Sequence, residues 1–263
     1  MRALSAAERI LQDLGVEEPE EIDLEAIAHH LGILAIRERD LDGCEARIIG
    51  CGDNAIISVS AASMPQRRRF SICHELGHWH HHRGQTLYCT AADIRDRDVA
   101  HAKEKVANTF AADLMLPPYL VAGVAADYKE LSLKNVDEIR NMFGASRSAT
   151  AIQLVKLHHS PTVLVCHSHR GKRWHFTGPR VPPSWSPRMD LGQESSAFDM
   201  VFGTSREQPV PRRVGAHVWF NRRDAERYEI LEQSFGVGEG EVITLLTLKD
   251  FRMLDDNSRG GWL

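Results

Sequence analysis

The sequence predicts an α+β protein in which amphipathic helices and a small sheet come first and a strand-rich half follows. Three observations carry that reading. Apolar residues recur at helical spacing over 3–14, 22–31 and 98–116; short β-branched runs between turn residues fill 33–60; and after Pro161 the periodicity becomes that of strands. With 263 residues and 43% hydrophobic content, the chain can bury a core without covalent staples.

Taken in order, Leu4, Ala7, Ile10, Leu11 and Leu14 share one face of a first helix, and residues 22–31 repeat the pattern with Asp23 as N-cap. Strand-type runs follow at 33–37, 46–50 and 55–60, parted by Asp42-Gly43 and Gly52-Asp53-Asn54. From Pro65 to His82 the only breaker is Gly77, and 98–116 is helical until Pro117-Pro118, so two facing helices are expected. Residues 132–143, the turn Gly144-Ala145-Ser146 and 147–158 read as helix, turn and helix. Strands are expected at 161–166, 173–176, 217–220, 228–235 and 242–248. Six of the 11 prolines fall in 179–211, which marks a long irregular connection. The expected division is 1–127, 128–159 (helix-turn-helix-like) and 160–263 (β-rich), with no internal repeat.

Composition narrows the function classes. Five cysteines at irregular spacing, with no CxxC pair, argue against a disulfide framework or a zinc ribbon, and a reducing cytoplasm is the expected home. The N-terminus lacks an unbroken apolar segment, and no run is long enough to cross a bilayer, so no membrane partner is expected. A net charge of -4 gives no general pull toward nucleic acid. Segment 129–158 carries a net of two positive charges, a weak tilt that favours packing or repressor docking over duplex recognition. Trp174, Trp219 and Phe220 read as sheet core.

The chemistry concentrates in His74-Glu75-Leu76-Gly77-His78. Two histidines four apart on a helix differ by about 40° around its axis, so both imidazoles can reach one ion. Glu75 follows the first ligand, where its carboxylate can approach a water at the metal, as a general base must. Glu104, on the next helix, is a third ligand of the right kind; three protein ligands leave a catalytic position open, whereas four would close it. Asn108, one turn on, shares the face of Glu104 and can hydrogen-bond a ligand. Zinc is the expected ion, and manganese also suits nitrogen and oxygen donors. A straight helix sets His82 about 11 Å from His74, too far to share the ion, so it reads as packing or rim.

Two stretches, RRRFSICHELGHWHHH at 67–82 and EKVANTFAADLMLP at 104–117, resemble the ImmA/IrrE metallopeptidases of bacteria, the second through that family's E-x-x-A-N-x-F-A-x-x-L-M-P signature. The resemblance covers roughly residues 20–160. It implies a zincin-like fold of gluzincin type, with zinc on His74, His78 and Glu104 and with Glu75 catalytic. It also implies a helical segment and a GAF-like sensor region after the peptidase. Its members cleave a helix-turn-helix repressor, often encoded next door, and release stress-response, mobile-element or toxin–antitoxin genes. The rival reading is a non-cleaving regulatory or toxin-like protein that grips a repressor or DNA through a zincin scaffold. Cys73 and the extra His80 and His81 raise the question whether redox state tunes metal occupancy, against the plainer reading of a buried, inert thiol. A peptide substrate is expected to add a strand along the sheet edge carrying 55–60.

Overall fold

The computed structural model describes residues 2–83, 97–205, 207–238 and 240–255. The chain divides into two compact units, Met1–Leu120 with Asn141–Ser146, and Val121–Arg140 with Arg147–Leu263. The mixture of helices with two separate sheets is α+β, as the periodicities predict.

The first unit opens with α1 (Ala6–Asp13), started by a capping box between Ser5 and Glu8. Glu8 is fully buried and satisfied, pairing with Arg2 and accepting the Tyr119 backbone N–H at 3.2 Å. Asp23 caps α2 (Leu24–His30) by accepting from the backbone of Glu25 and Ala26. Three strands follow: β1 (Ile33–Arg39), β2 (Ala46–Cys51) and β3 (Asn54–Ser60), in spatial order β1-β3-β2. β3 runs parallel to β1 and antiparallel to β2, and buries Ala55, Ile57 and Val59 on one face. Residues 55–60 are therefore the central strand. Both their edges are already hydrogen-bonded, so a substrate cannot add there; the edge strands are β1 and β2.

Two long helices complete the unit's chemistry-bearing part, α3 (Pro65–His82) and α4 (Arg97–Met115). The Trp79 indole locks α3 to the sheet. Its Nε1 donates to the Leu31 carbonyl at 2.8 Å, and its ring lies so close to Gly50 of β2 that a Cβ there would meet Cζ3 at 2.3 Å. α4 ends before Pro117, and Pro118 begins α5 (Pro118–Ala125), where its missing N–H has no helical partner to lose.

In the second unit most of α6 (Leu133–Phe143) and all of α7 (Arg147–Leu157) precede an antiparallel sheet of order β5-β4-β8-β7-β6. Its strands are β4 (Thr162–Ser168), β5 (Gly171–Thr177), β6 (Gln208–Gly215), β7 (Glu229–Gly238) and β8 (Glu241–Leu248). α7 buries Thr150, Ala151, Leu154 and Val155 and packs against β4 and β5. Three cations of segment 129–158 have carboxylate partners: Lys134 with Glu138, Arg140 with Asp137, and Arg147 with Asp137 and Glu207. The weak basic tilt is thus largely compensated within the unit.

Two expectations fail here, for physical reasons. Residues 217–220 are not a strand: Ala216–Val218 is a 3-10 turn, and Phe220 makes only an isolated bridge to Pro187. Val218, Trp219 and Phe220 are all buried, consecutively, which a strand with one solvated face cannot achieve. Conversely, the proline-rich connection contains β6 and a short helix, α8 (Ser196–Phe202). β6 is an edge strand with a register shift between Gln208 and Arg212, the setting in which Pro209 and Pro211 are tolerated. Trp219 and Phe220 do join the core, with Trp185, whereas Trp174 is half-buried on edge strand β5 beside Phe176.

Candidate metal centre

α3 is buried along its middle, from Ser71 to Trp79 except for the half-buried His74, so its polar residues there must find partners in the fold. α4 presents Ala107, Phe110, Ala111 and Leu114 as a buried stripe, and Glu104 extends that stripe by one turn. Gly77 lets the two helices approach closely: a Cβ at this position would stand 3.0 Å from both Cα and O of Ala107. The close approach brings the Glu104 carboxylate to the histidines.

The three groups converge. His74 Nε2 and His78 Nε2 are 3.0 Å apart, and Glu104 places Oε2 3.3 Å from the first and Oε1 3.2 Å from the second. Tetrahedral ligands at zinc distances of about 2.0–2.1 Å are separated by roughly 3.3–3.4 Å, so the donor triangle has nearly the size an ion requires. The chemistry of the donors agrees: His78 is held well below the ordinary histidine pKa, first by burial and then by the neighbouring His74, which keeps its ring neutral with a lone pair to offer. His74 Nδ1 lies 3.1 Å from Asn108 Oδ1. An amide oxygen only accepts, so Nδ1 carries the proton and Nε2 the lone pair. The residues therefore fit a divalent ion. The cluster is open on one side, since the Glu104 side chain is 46% exposed whereas that of His78 is 1% exposed.

Glu75 is buried beside this cluster, 4% exposed. Burial, reinforced by the charge of Glu104, pushes its carboxyl up to about 7, against a hydrogen bond from the Ile48 backbone of β2. That bond was not legible in the sequence, because nothing local ties residue 48 to residue 75. Cys73 is fully buried, and burial pushes its thiol up to about 12, so it carries no thiolate near neutral pH and the redox-tuned reading loses its reagent. His82 stays outside the three-donor cluster.

An α+β unit that brings two histidines of one helix and a glutamate of the next to a common point, beside a buried carboxyl, presents a candidate site for a divalent ion. Residues 27–155 match the model of the IrrE N-terminal-like domain, a peptidase family, so this part of the chain is a domain of the ImmA/IrrE family. No curated protein sequence matches it significantly. Among solved structures it is similar to a Mycobacterium tuberculosis transcriptional regulator, with a TM-score of 0.61 at 16% identity over 98% of this chain and 79% of that one. At that identity the likeness speaks for the fold. Among the described residues, no helix is long and apolar enough to cross a membrane.

Proposed function

We propose that the chain is a zinc-dependent endopeptidase that cleaves a helix-turn-helix transcriptional repressor and so derepresses stress, mobile-element or toxin–antitoxin genes. The observation that carries this reading is the buried Glu75 carboxyl beside a three-donor cluster of the size an ion requires. His74, His78 and Glu104 hold the ion, for which manganese is an alternative to zinc. When bound, it supplies Lewis acidity toward a carbonyl oxygen and toward water. Glu75 takes a proton from the attacking water and returns it to the departing amine. Asn108 fixes the tautomer of His74. The peptide lies extended along β2, the edge strand whose Ile48 N–H reaches Glu75 and whose Ile49 is 66% exposed.

In this reading residues 1–127 are the peptidase, 128–159 a helical segment for packing or repressor docking, and 160–263 a GAF-like sensor region. The similar mycobacterial protein is described as a transcriptional regulator, which is compatible with a regulatory setting. The test is incubation of the purified protein, with and without zinc or manganese, with the helix-turn-helix regulator encoded nearest its gene, and with Glu75→Gln as control. Metal-dependent cleavage lost in the Gln variant supports the endopeptidase. A stable complex that is never cut replaces it with the binding-protein reading.

A further inference from the structure

The two histidines of the cluster are supported unequally. His74 has Asn108 Oδ1 at its Nδ1, which fixes its tautomer. His78, more deeply buried, has no partner for Nδ1 among the described residues, although that atom is sealed from solvent. If Nε2 is to offer a lone pair to an ion, Nδ1 must carry the proton, and a buried N–H calls for an acceptor. One turn further along α3, on the same face, His82 has the complementary defect: its Nδ1 is also sealed and also lacks a partner. The two rings lie 5.6 Å apart between centroids, inclined at 48°. Side chains on a helix lean toward its N-terminus, so the ring of His82 covers the turn that carries His78.

We infer that His82 is the positioning residue for His78: its Nδ1 serves as acceptor for the proton on His78 Nδ1, and so holds Nε2 of His78 aimed at the ion. Neither nitrogen has room for a water beside it, and with the ring centroids 5.6 Å apart a small rotation of the His82 ring brings the two nitrogens close to hydrogen-bond distance. The neutral ring of His82 then bears its own proton on Nε2. His82 acts through His78 and does not touch the ion. This extends the metal-centre reading above and rests on it.

Partners of this kind typically change metal affinity by about 10- to 100-fold. The experiment measures zinc affinity by competition with a chromogenic chelator, together with the melting temperature of the metal-free protein, for wild type, His82→Phe, His82→Gln and His78→Ala. Phe keeps a ring of similar size without a nitrogen, while Gln restores an acceptor oxygen. The expected result is a zinc affinity about 10- to 100-fold weaker in His82→Phe, largely recovered in His82→Gln, with the metal-free melting temperatures of both close to wild type. Unchanged affinity in His82→Phe overturns the inference and leaves the metal centre standing, as does an equal loss in both variants that tracks a drop in metal-free stability. Wild-type protein that binds zinc no better than His78→Ala overturns the metal-centre reading and this inference together.

Discussion

Replacing Gly77 with alanine tests whether the helix–helix approach that assembles the cluster is fixed by this residue. Two effects of opposite sign compete. Alanine in a helix interior is favoured over glycine by about 1 kcal/mol. The added Cβ, however, would lie 3.0 Å from Ala107 Cα, 3.0 Å from Ala107 O and 3.2 Å from Phe110 Cβ. The first two are backbone atoms and cannot rotate away, so the helices must separate, and overpacking of this kind costs about 1–3 kcal/mol. The net expectation is destabilisation by about 1 kcal/mol, or roughly 3–6 °C in melting temperature for a unit of this size. Gly123, inside α5, supplies the control, because a Cβ there meets nothing within 4 Å. Gly123→Ala should stabilise by about 0.4–1 kcal/mol. Urea denaturation of the metal-free proteins measures both, and zinc competition should show a loss in Gly77→Ala only, because Glu104 moves with α4. If both substitutions shift stability in the same direction, or Gly77→Ala leaves zinc affinity unchanged, the close approach is not what sets the donor triangle.

Glu232 is fully buried and accepts from Arg212 Nε, the Trp219 indole and the Ser196 backbone N–H, at 2.9, 2.6 and 2.9 Å. Glu232→Ala strands these donors and should cost about 3 kcal/mol by urea denaturation; a loss under 1 kcal/mol would show that the network is readily rehydrated. Burial holds His158 and His167 below the ordinary histidine pKa. Around and below pH 6.5 the unfolded chain therefore binds more protons than the folded one, so their contribution to stability is present above that value and lost as pH falls through it. Thermal melts from pH 7.5 to 5.5 should show a decline that the double variant His158→Gln, His167→Gln reduces; parallel curves for the two proteins would exclude this origin.

What could be read in the sequence follows from how far apart the cooperating residues lie. The spacing of His74 and His78 is a property of one helix, and Glu104 with Asn108 a property of the next, so local periodicity was enough to nominate all four. The stripe of Ala107, Phe110, Ala111 and Leu114 fixes which side of α4 faces inward, and Gly77 marks where the helices touch. By contrast, the order β1-β3-β2 depends on how three short strands choose neighbours, and alternation is the same for an edge strand and a central one. Hence the expected substrate edge fell on residues 55–60, although β2 is the edge strand that reaches Glu75 through Ile48. Prolines misled in the same way: Pro209 and Pro211 forbid a central strand and are harmless on an edge, so β6 was hidden by residues that only its position excuses. The donor cluster is thus written in helical spacing, which a single sequence displays. The edge on which the proposed function seats a peptide is written in strand order, and for that the fold itself had to be seen.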